Sequence, residues 1–136
     1  MEEAKALYAL LENEGLTCVV SRDGALFRSE ERGVRPLLHW LRADPAFCRG
    51  GLAADRVVGK AAAMLFVYGG IRAVYAGVVS EPALAVLRRA GVEADYGKLV
   101  PYIINRDRTG RCPMETLVLE VDDPAEAFAL LDRKVS

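Results

Sequence analysis

Apolar residues recur at helical spacing near the start of the chain, at Ala4, Leu7, Leu10 and Leu11, and Gly15 follows Glu14. The pattern predicts an amphipathic helix that stops at the glycine. Two short runs, Thr17 to Arg22 and Ala25 to Ser29, then flank Asp23-Gly24, the dipeptide best suited to the positive φ angles of a two-residue hairpin turn. Two antiparallel strands are expected there. From Arg35 to Ala43 the apolar positions Leu37, Leu38, Trp40 and Leu41 predict a short helix, and Asp44-Pro45 and Gly50-Gly51 mark a loop expected to form a mobile wall.

In the middle of the chain, Asp55 has the character of an N-cap for a helix from Arg56 to about Tyr68, closed by Gly69-Gly70. Small residues at Gly59 and Ala61 to Ala63 would let that helix sit close against a sheet. Ala73 to Val79 reads as a buried strand. Ser80 would cap a helix with Pro82 in its first turn, and Gly91 would end it before a strand from Val92 to Tyr96. Strands separated by single amphipathic helices are the signature of right-handed parallel crossovers. The expected fold is therefore α/β, a mixed sheet between helical layers with an N-terminal antiparallel hairpin followed by parallel crossover strands. The tail adds a loop from Lys98 to Arg111, a short helix near Pro113 and a last helix from Pro124 to about Lys134, with Asp122-Asp123 as its cap. No repeat, low-complexity tract or linker interrupts the chain, so residues 1–136 are expected to form one domain.

Composition narrows the function classes. The chain has 136 residues, 52% of them hydrophobic, enough to bury a core. Its 18 Lys plus Arg against 19 Asp plus Glu leave a net charge of −1 and no basic footprint, so neither nucleic acid nor an acidic membrane surface is expected as a partner. The three cysteines, Cys18, Cys48 and Cys112, match neither a disulfide framework nor a metal knuckle, which points to a reducing cytoplasm. The acidic N-terminus is unlike a signal peptide. The apolar run from Ala61 to Val79 is broken by Gly69, Gly70 and Arg72, unlike a membrane span.

The densest concentration of chemistry lies between Val100 and Glu115. Cys112 sits where an N-cap would, with Pro113 at the first helical position and Glu115 three residues on. Free backbone N–H groups there would favour a thiolate, and with Arg106, Arg108 and Arg111 they would equally suit a bound phosphate or carboxylate. The same residues also fit a structural reading: a small buried cysteine, a capping box completed by Glu115, and solvated arginines. Lys60 lies among small and apolar residues and either points into a cleft or runs out to solvent. Ser80 and Glu81 follow a parallel strand, where open α/β sheets hold ligands, and also fit as a plain cap and dipole charge. His39 is the only histidine and reads as a packed residue. With three scattered cysteines it offers no expected metal site and no Ser-His-Asp arrangement.

Together the boxes Asp55-Arg-Val-Val-Gly-Lys-Ala-Ala-Ala63, Ser80-Glu-Pro-Ala83, Val100-Pro-Tyr-Ile-Ile-Asn-Arg106 and Cys112-Pro-Met-Glu115 resemble an uncharacterised prokaryotic domain family of the cytidine deaminase-like fold, in a branch lacking zinc. The likeness runs from about Leu10 to Leu131. It implies a three-layer α/β/α arrangement. Zinc deaminases carry a His-or-Cys-Ala-Glu box at one helix start and Pro-Cys-x-x-Cys at the next. The corresponding stretches here read Gly59-Lys60-Ala61 and Pro82-Ala-Leu-Ala-Val86, so the resemblance implies no zinc-dependent deamination and makes nucleotide-like or phosphorylated small molecules reasonable ligands.

The reading that follows is a cytoplasmic protein, without metal or other cofactor, that binds an anionic or nucleotide-like small molecule. Its cleft would lie between the Asp55 to Lys60 segment, Ser80-Glu81 and the 105–115 loop. Asp55, Gly59, Lys60, Ser80, Tyr102, Asn105 and Arg106 are the candidate ligand contacts. A rival is an enzyme with Cys112 as nucleophile or redox thiol and Glu81 or Glu115 as proton carrier. A third reading is an interaction or homo-oligomeric assembly module, with Phe27, Trp40 and Phe47 forming an apolar face.

Overall fold

The structure is a computed structural model that describes residues 1–104 and 112–135. Its elements are α1 (Glu2–Glu14), β1 (Cys18–Arg22), β2 (Ala25–Ser29), α2 (Arg35–Ala43), β3 (Leu52–Val58), α3 (Lys60–Tyr68), β4 (Ala73–Ser80), α4 (Glu81–Arg89), β5 (Glu93–Val100), α5 (Pro113–Leu117) and α6 (Pro124–Val135). Five strands form one sheet in the order β2-β1-β3-β4-β5. β1 is antiparallel to β2 and β3, whereas β3, β4 and β5 run parallel, joined by α3 and α4. The turn between β1 and β2 carries φ angles of 48° at Asp23 and 84° at Gly24, as the dipeptide predicted.

Helices cover both faces, giving the expected three-layer α/β/α arrangement with a mixed sheet. α1 packs against β1, β3 and β4, where Leu11, Leu16, Val19 and Ala54 form a small core with Leu7, Tyr8 and Leu10. The larger core, on the opposite face, joins Leu37, Leu38 and Leu41 of α2, Met64, Leu65 and Phe66 of α3, Leu84 and Leu87 of α4, and Ala127 and Leu131 of α6. α6 lies against α3, with the Tyr68 and Phe128 rings stacked at 4.8 Å. Asp123 starts α6 as expected: its carboxylate accepts the Ala125 N–H at 3.2 Å.

The structure corrects the sequence reading at several places. Leu52 to Val58 is a strand, and α3 begins only at Lys60, so Asp55 is a mid-strand residue and not a helix cap. β3 is hydrogen-bonded on both sides, antiparallel to β1 and parallel to β4, and its first four residues are buried. A strand enclosed on both faces loses the polar alternation that would have marked it. β5 runs on to Val100, into the segment expected to be loop. The segment from Asp44 to Gly51 is anchored, since Phe47 and Cys48 are core residues and Arg22 donates to the Ala46 carbonyl at 2.8 Å. Phe27, Trp40 and Phe47 pack on one another, with centroids 5.2 to 5.8 Å apart, and form no exposed apolar face. His39 is exposed and pairs with Glu31 at 3.2 Å. No helix among the described residues is long and apolar enough to cross a membrane.

α1 approaches the sheet closely at Gly77. A Cβ there would collide with the Tyr8 hydroxyl and come within 2.7 Å of the Arg56 carbonyl oxygen, which belongs to backbone and cannot swing away. Gly77→Ala should therefore destabilise the fold by about 1–3 kcal/mol in urea unfolding. Tyr8→Phe should restore only part of that loss.

Candidate functional site

A single residue, Gly59, separates the end of β3 from the start of α3. The carboxyl ends of parallel strands are where sheets of this class leave room for ligands. A cavity of about 770 Å³ opens there. Its walls come from Thr17 before β1, Arg32 to Val34 before α2, Asp55 to Val57 of β3, and Gly59, Ala61 and Ala62 around the start of α3. Ile103, Ile104 and Cys112 to Glu115 complete it.

Glu115 is the structural centre of this site. Only 7% exposed, it accepts the Lys60 N–H on Oε1 and the Ala61 N–H on Oε2, both at 2.7 Å. α3 has no side chain of its own to meet these groups, because its N-cap is Gly59. The carboxylate thus satisfies two orphan donors and opposes the positive end of the helix dipole. It does not complete a capping box on α5, and the Cys112 side chain makes no cap bond either. Gly59 is required by this arrangement. A Cβ at that position would fall within 2.5 Å of Oε1 and 2.7 Å of Oε2.

Asp55 lies across the cavity, 6% exposed, in register with Cys18 on β1 and Ala76 on β4. Burial pushes its carboxyl up to about 8, an effect partly offset by the Val57 and Arg56 N–H groups and by the Cys18 thiol that bonds to it. The Cys18 thiol is itself pushed well up, first by burial and then by Asp55. A buried acid with a raised pKa thus lies on the cavity wall, in register with the buried Cys18 behind it.

The remaining candidates are divided by the fold. Cys112, partly buried, and Gly59 line the same cavity as Asp55 and Glu115. Lys60 does not: its Nζ donates to the Leu119 carbonyl at 2.9 Å and it faces a separate hollow with Pro82, Arg89 and Asp122. Ser80 is fully buried and its Oγ caps α4 through the Ala83 N–H at 3.2 Å. Glu81, exposed in the first turn of α4, lines neither hollow. Tyr102 is 41% exposed and also outside both. Asn105 and Arg106 lie outside the described residues. The crevice expected to unite Lys60, Glu81 and Cys112 is therefore replaced by one uniting Asp55, Gly59, Cys112 and Glu115. Sequence reasoning missed Thr17, Arg32, Val57 and Met114 as wall residues, and nothing in their local pattern marks them. Among the described residues no group of three or more His, Cys, Asp or Glu is placed to hold a metal ion.

Two measurements check this geometry. Gly59→Ala and Glu115→Ala should each destabilise by about 1–3 kcal/mol. The double variant should lose less than their sum, because the added methyl occupies space the carboxylate has left; strict additivity would refute the contact. Asp55 gives a pH signature. Between its ordinary value of 3.8 and about 8 the folded chain keeps a proton that the unfolded chain has lost, so stability falls as pH rises through that window. The contribution approaches about 1.4 kcal/mol per pH unit. Asp55→Asn should lack it, so the parent's stability relative to the variant should decline from pH 5 to 8 and then level off. Parallel profiles would contradict the assignment.

The chain as a whole resembles solved structures. A DUF1893 family protein (TM1506) from Thermotoga maritima superposes with a TM-score of 0.86 at 29% identity, over 96% of this chain and 88% of that one. A diaminohydroxyphosphoribosylaminopyrimidine deaminase/5-amino-6-(5-phosphoribosylamino)uracil reductase from the same organism gives a TM-score of 0.49 at 18% identity, over 71% of this chain and 36% of that one. No curated protein matches. The family model described as TM1506, domain of unknown function (DUF1893), matches residues 6–135, and the chain belongs to that family.

Proposed function

We propose that the chain binds a nucleotide-like small molecule, its uncharged ring directed into the cavity and its anionic group toward the mouth. One observation carries the reading: a cavity of about 770 Å³, walled by Val57, Ala61, Ala62, Ile103, Ile104 and Met114, onto which the two buried acidic side chains Asp55 and Glu115 converge. Volume and lining both suit a small heterocyclic ligand. The α3 amides of Lys60 and Ala61, a natural anion site, are already bonded to Glu115, so the ligand's charge belongs elsewhere. Arg32 is on the wall, and Arg106 and Arg111 stand within two residues of the lining positions Ile104 and Cys112 along the chain.

The reading includes a zinc-free branch of the cytidine deaminase-like fold. In support, Gly59 stands where the resemblance puts a metal ligand, and the Glu115 carboxylate takes the space a side chain there would need. It also includes a cytoplasmic home, for which the support is that all three cysteines are free. A second reading, thiol chemistry at Cys112, is favoured by that residue's place on the cavity wall. Its proton carriers are weakened, since Glu81 lies outside the cavity and both Glu115 oxygens are engaged.

Thermal unfolding with nucleoside monophosphates, ribose 5-phosphate, inorganic phosphate and zinc chloride tests the proposal. A nucleotide at a hundred times its Kd should add about 2.7 kcal/mol of stability. Val57→Trp, which fills the mouth from a half-exposed position, should abolish the effect while folding normally. Cys112→Ser should retain it if the role is binding. A response to zinc alone would overturn the reading.

A further inference from the structure

Among the described residues the cavity wall carries the acids Asp55 and Glu115 and the arginines Arg32 and Arg56, and their engagements differ. Glu115 accepts the two α3 amides, and Arg56 donates through Nε to the Leu16 carbonyl at 2.6 Å. Asp55 is buried in the sheet. Arg32 is exposed, and among the described residues no hydrogen bond or ion pair ends on its side chain. The acid beside it in sequence, Glu31, pairs with His39 at 3.2 Å instead.

The backbone that carries Arg32 is held on both sides. The Thr17 hydroxyl lies 3.0 Å from the Ser29 carbonyl oxygen and 2.6 Å from that of Glu31, and the Ser29 Oγ accepts the Glu31 N–H at 3.0 Å. On the other side Gly33 takes a φ of 67°, a left-handed turn that glycine adopts cheaply, and Val34 is packed into the larger core. An unpaired guanidinium mounted on a fixed turn can meet an anion with little backbone ordering left to do.

We infer that Arg32 is the anion contact of the cavity. Its guanidinium forks onto the phosphate of a phosphate monoester whose uncharged part lies among Val57, Ala61, Ile104 and Met114, and it thereby sets the preference for phosphorylated over unphosphorylated ligands. This rests on the small-molecule reading above and deepens it, from an anionic ligand in general to a phosphate monoester held by a named residue. The planar fork matches two phosphate oxygens at once, which an ammonium group cannot do. The acidic wall acts in the same direction. Glu115, with both oxygens engaged, repels an anion directed inward, so the charge is met at Arg32.

Calorimetric titration of the full chain with the common nucleoside 5′-monophosphates and their parent nucleosides tests this. The tightest monophosphate should bind about tenfold or more tightly than its nucleoside. Arg32→Ala should lower the affinity for that monophosphate about tenfold or more and the affinity for the nucleoside less than about threefold. Raising NaCl from about 50 mM to about 500 mM should weaken monophosphate binding in the parent protein and have little effect in Arg32→Ala. Arg35→Ala is the control, since it removes another exposed charge close by in sequence but outside the cavity lining, and it should leave both affinities unchanged.

The outcomes separate the two ideas. A monophosphate no tighter than its nucleoside, an undiminished monophosphate affinity in Arg32→Ala, an equal loss of nucleoside affinity there, or an equal loss in Arg35→Ala overturns the role of Arg32 and leaves the pocket reading standing. Failure of monophosphates and nucleosides alike to bind overturns both. Should alanine disturb the turn, Arg32→Gln, which keeps most of the stem and loses the charge, decides by the same comparison.

Discussion

The pair of hydrogen bonds from the α3 amides to Glu115 ties the two halves of the chain together. It joins residues more than fifty positions apart and fixes the start of α5 against the end of β3. Without that link α5 would be weakly held, since it is only five residues long and Glu115 is its one buried residue. The cavity is the space left beneath the bridge. Its position is therefore a consequence of helix capping: orphan N–H groups at the start of a short, apolar helix need an acceptor, and the helix's own N-cap is a glycine.

That constraint also explains Gly59. A glycine between strand and helix is easily read as a flexible joint, yet its φ of −96° is open to any residue. What forbids a side chain is the carboxylate packed where the Cβ would sit.

Much of the fold was legible because local rules and tertiary demands agree. Gly15 takes the left-handed conformation that ends α1, Asp23-Gly24 turns the hairpin, Ser80 caps α4, and the apolar stretch from Ala73 reads directly as a buried strand. β3 was misread because its evidence is nonlocal. Ala53, Ala54 and Asp55 have weak strand preference, and only pairing with β1 and β4 holds them extended. That slip moved Asp55 from a helix cap, where an acid is ordinary, to the centre of a sheet, where its protonation matters. Cys112 and Glu115 were found as a cluster, but which helix Glu115 serves could not be read from a spacing of three, since the partner lies in another part of the chain. Lys60 was misplaced for the complementary reason: the sequence shows an apolar helix around it, and the rotation of that helix sends its amine to the Leu119 carbonyl on the far side.

The two acidic residues of the cavity make different demands on their surroundings, and the difference bears on ligand chemistry. Glu115 accepts two well-formed hydrogen bonds from a helix N-terminus, a setting that stabilises a carboxylate. Asp55 sits among Ala53, Ala54 and Ala76, and its nearest donors offset the loss of hydration only in part. One wall thus presents a carboxylate that already accepts two helix amides, the other a buried carboxyl whose lost hydration is only partly made good. An anion held deep inside would meet the field of Glu115. On the reading proposed above, a neutral ring would not meet that field, and a charged substituent would be drawn toward Arg32 on the wall.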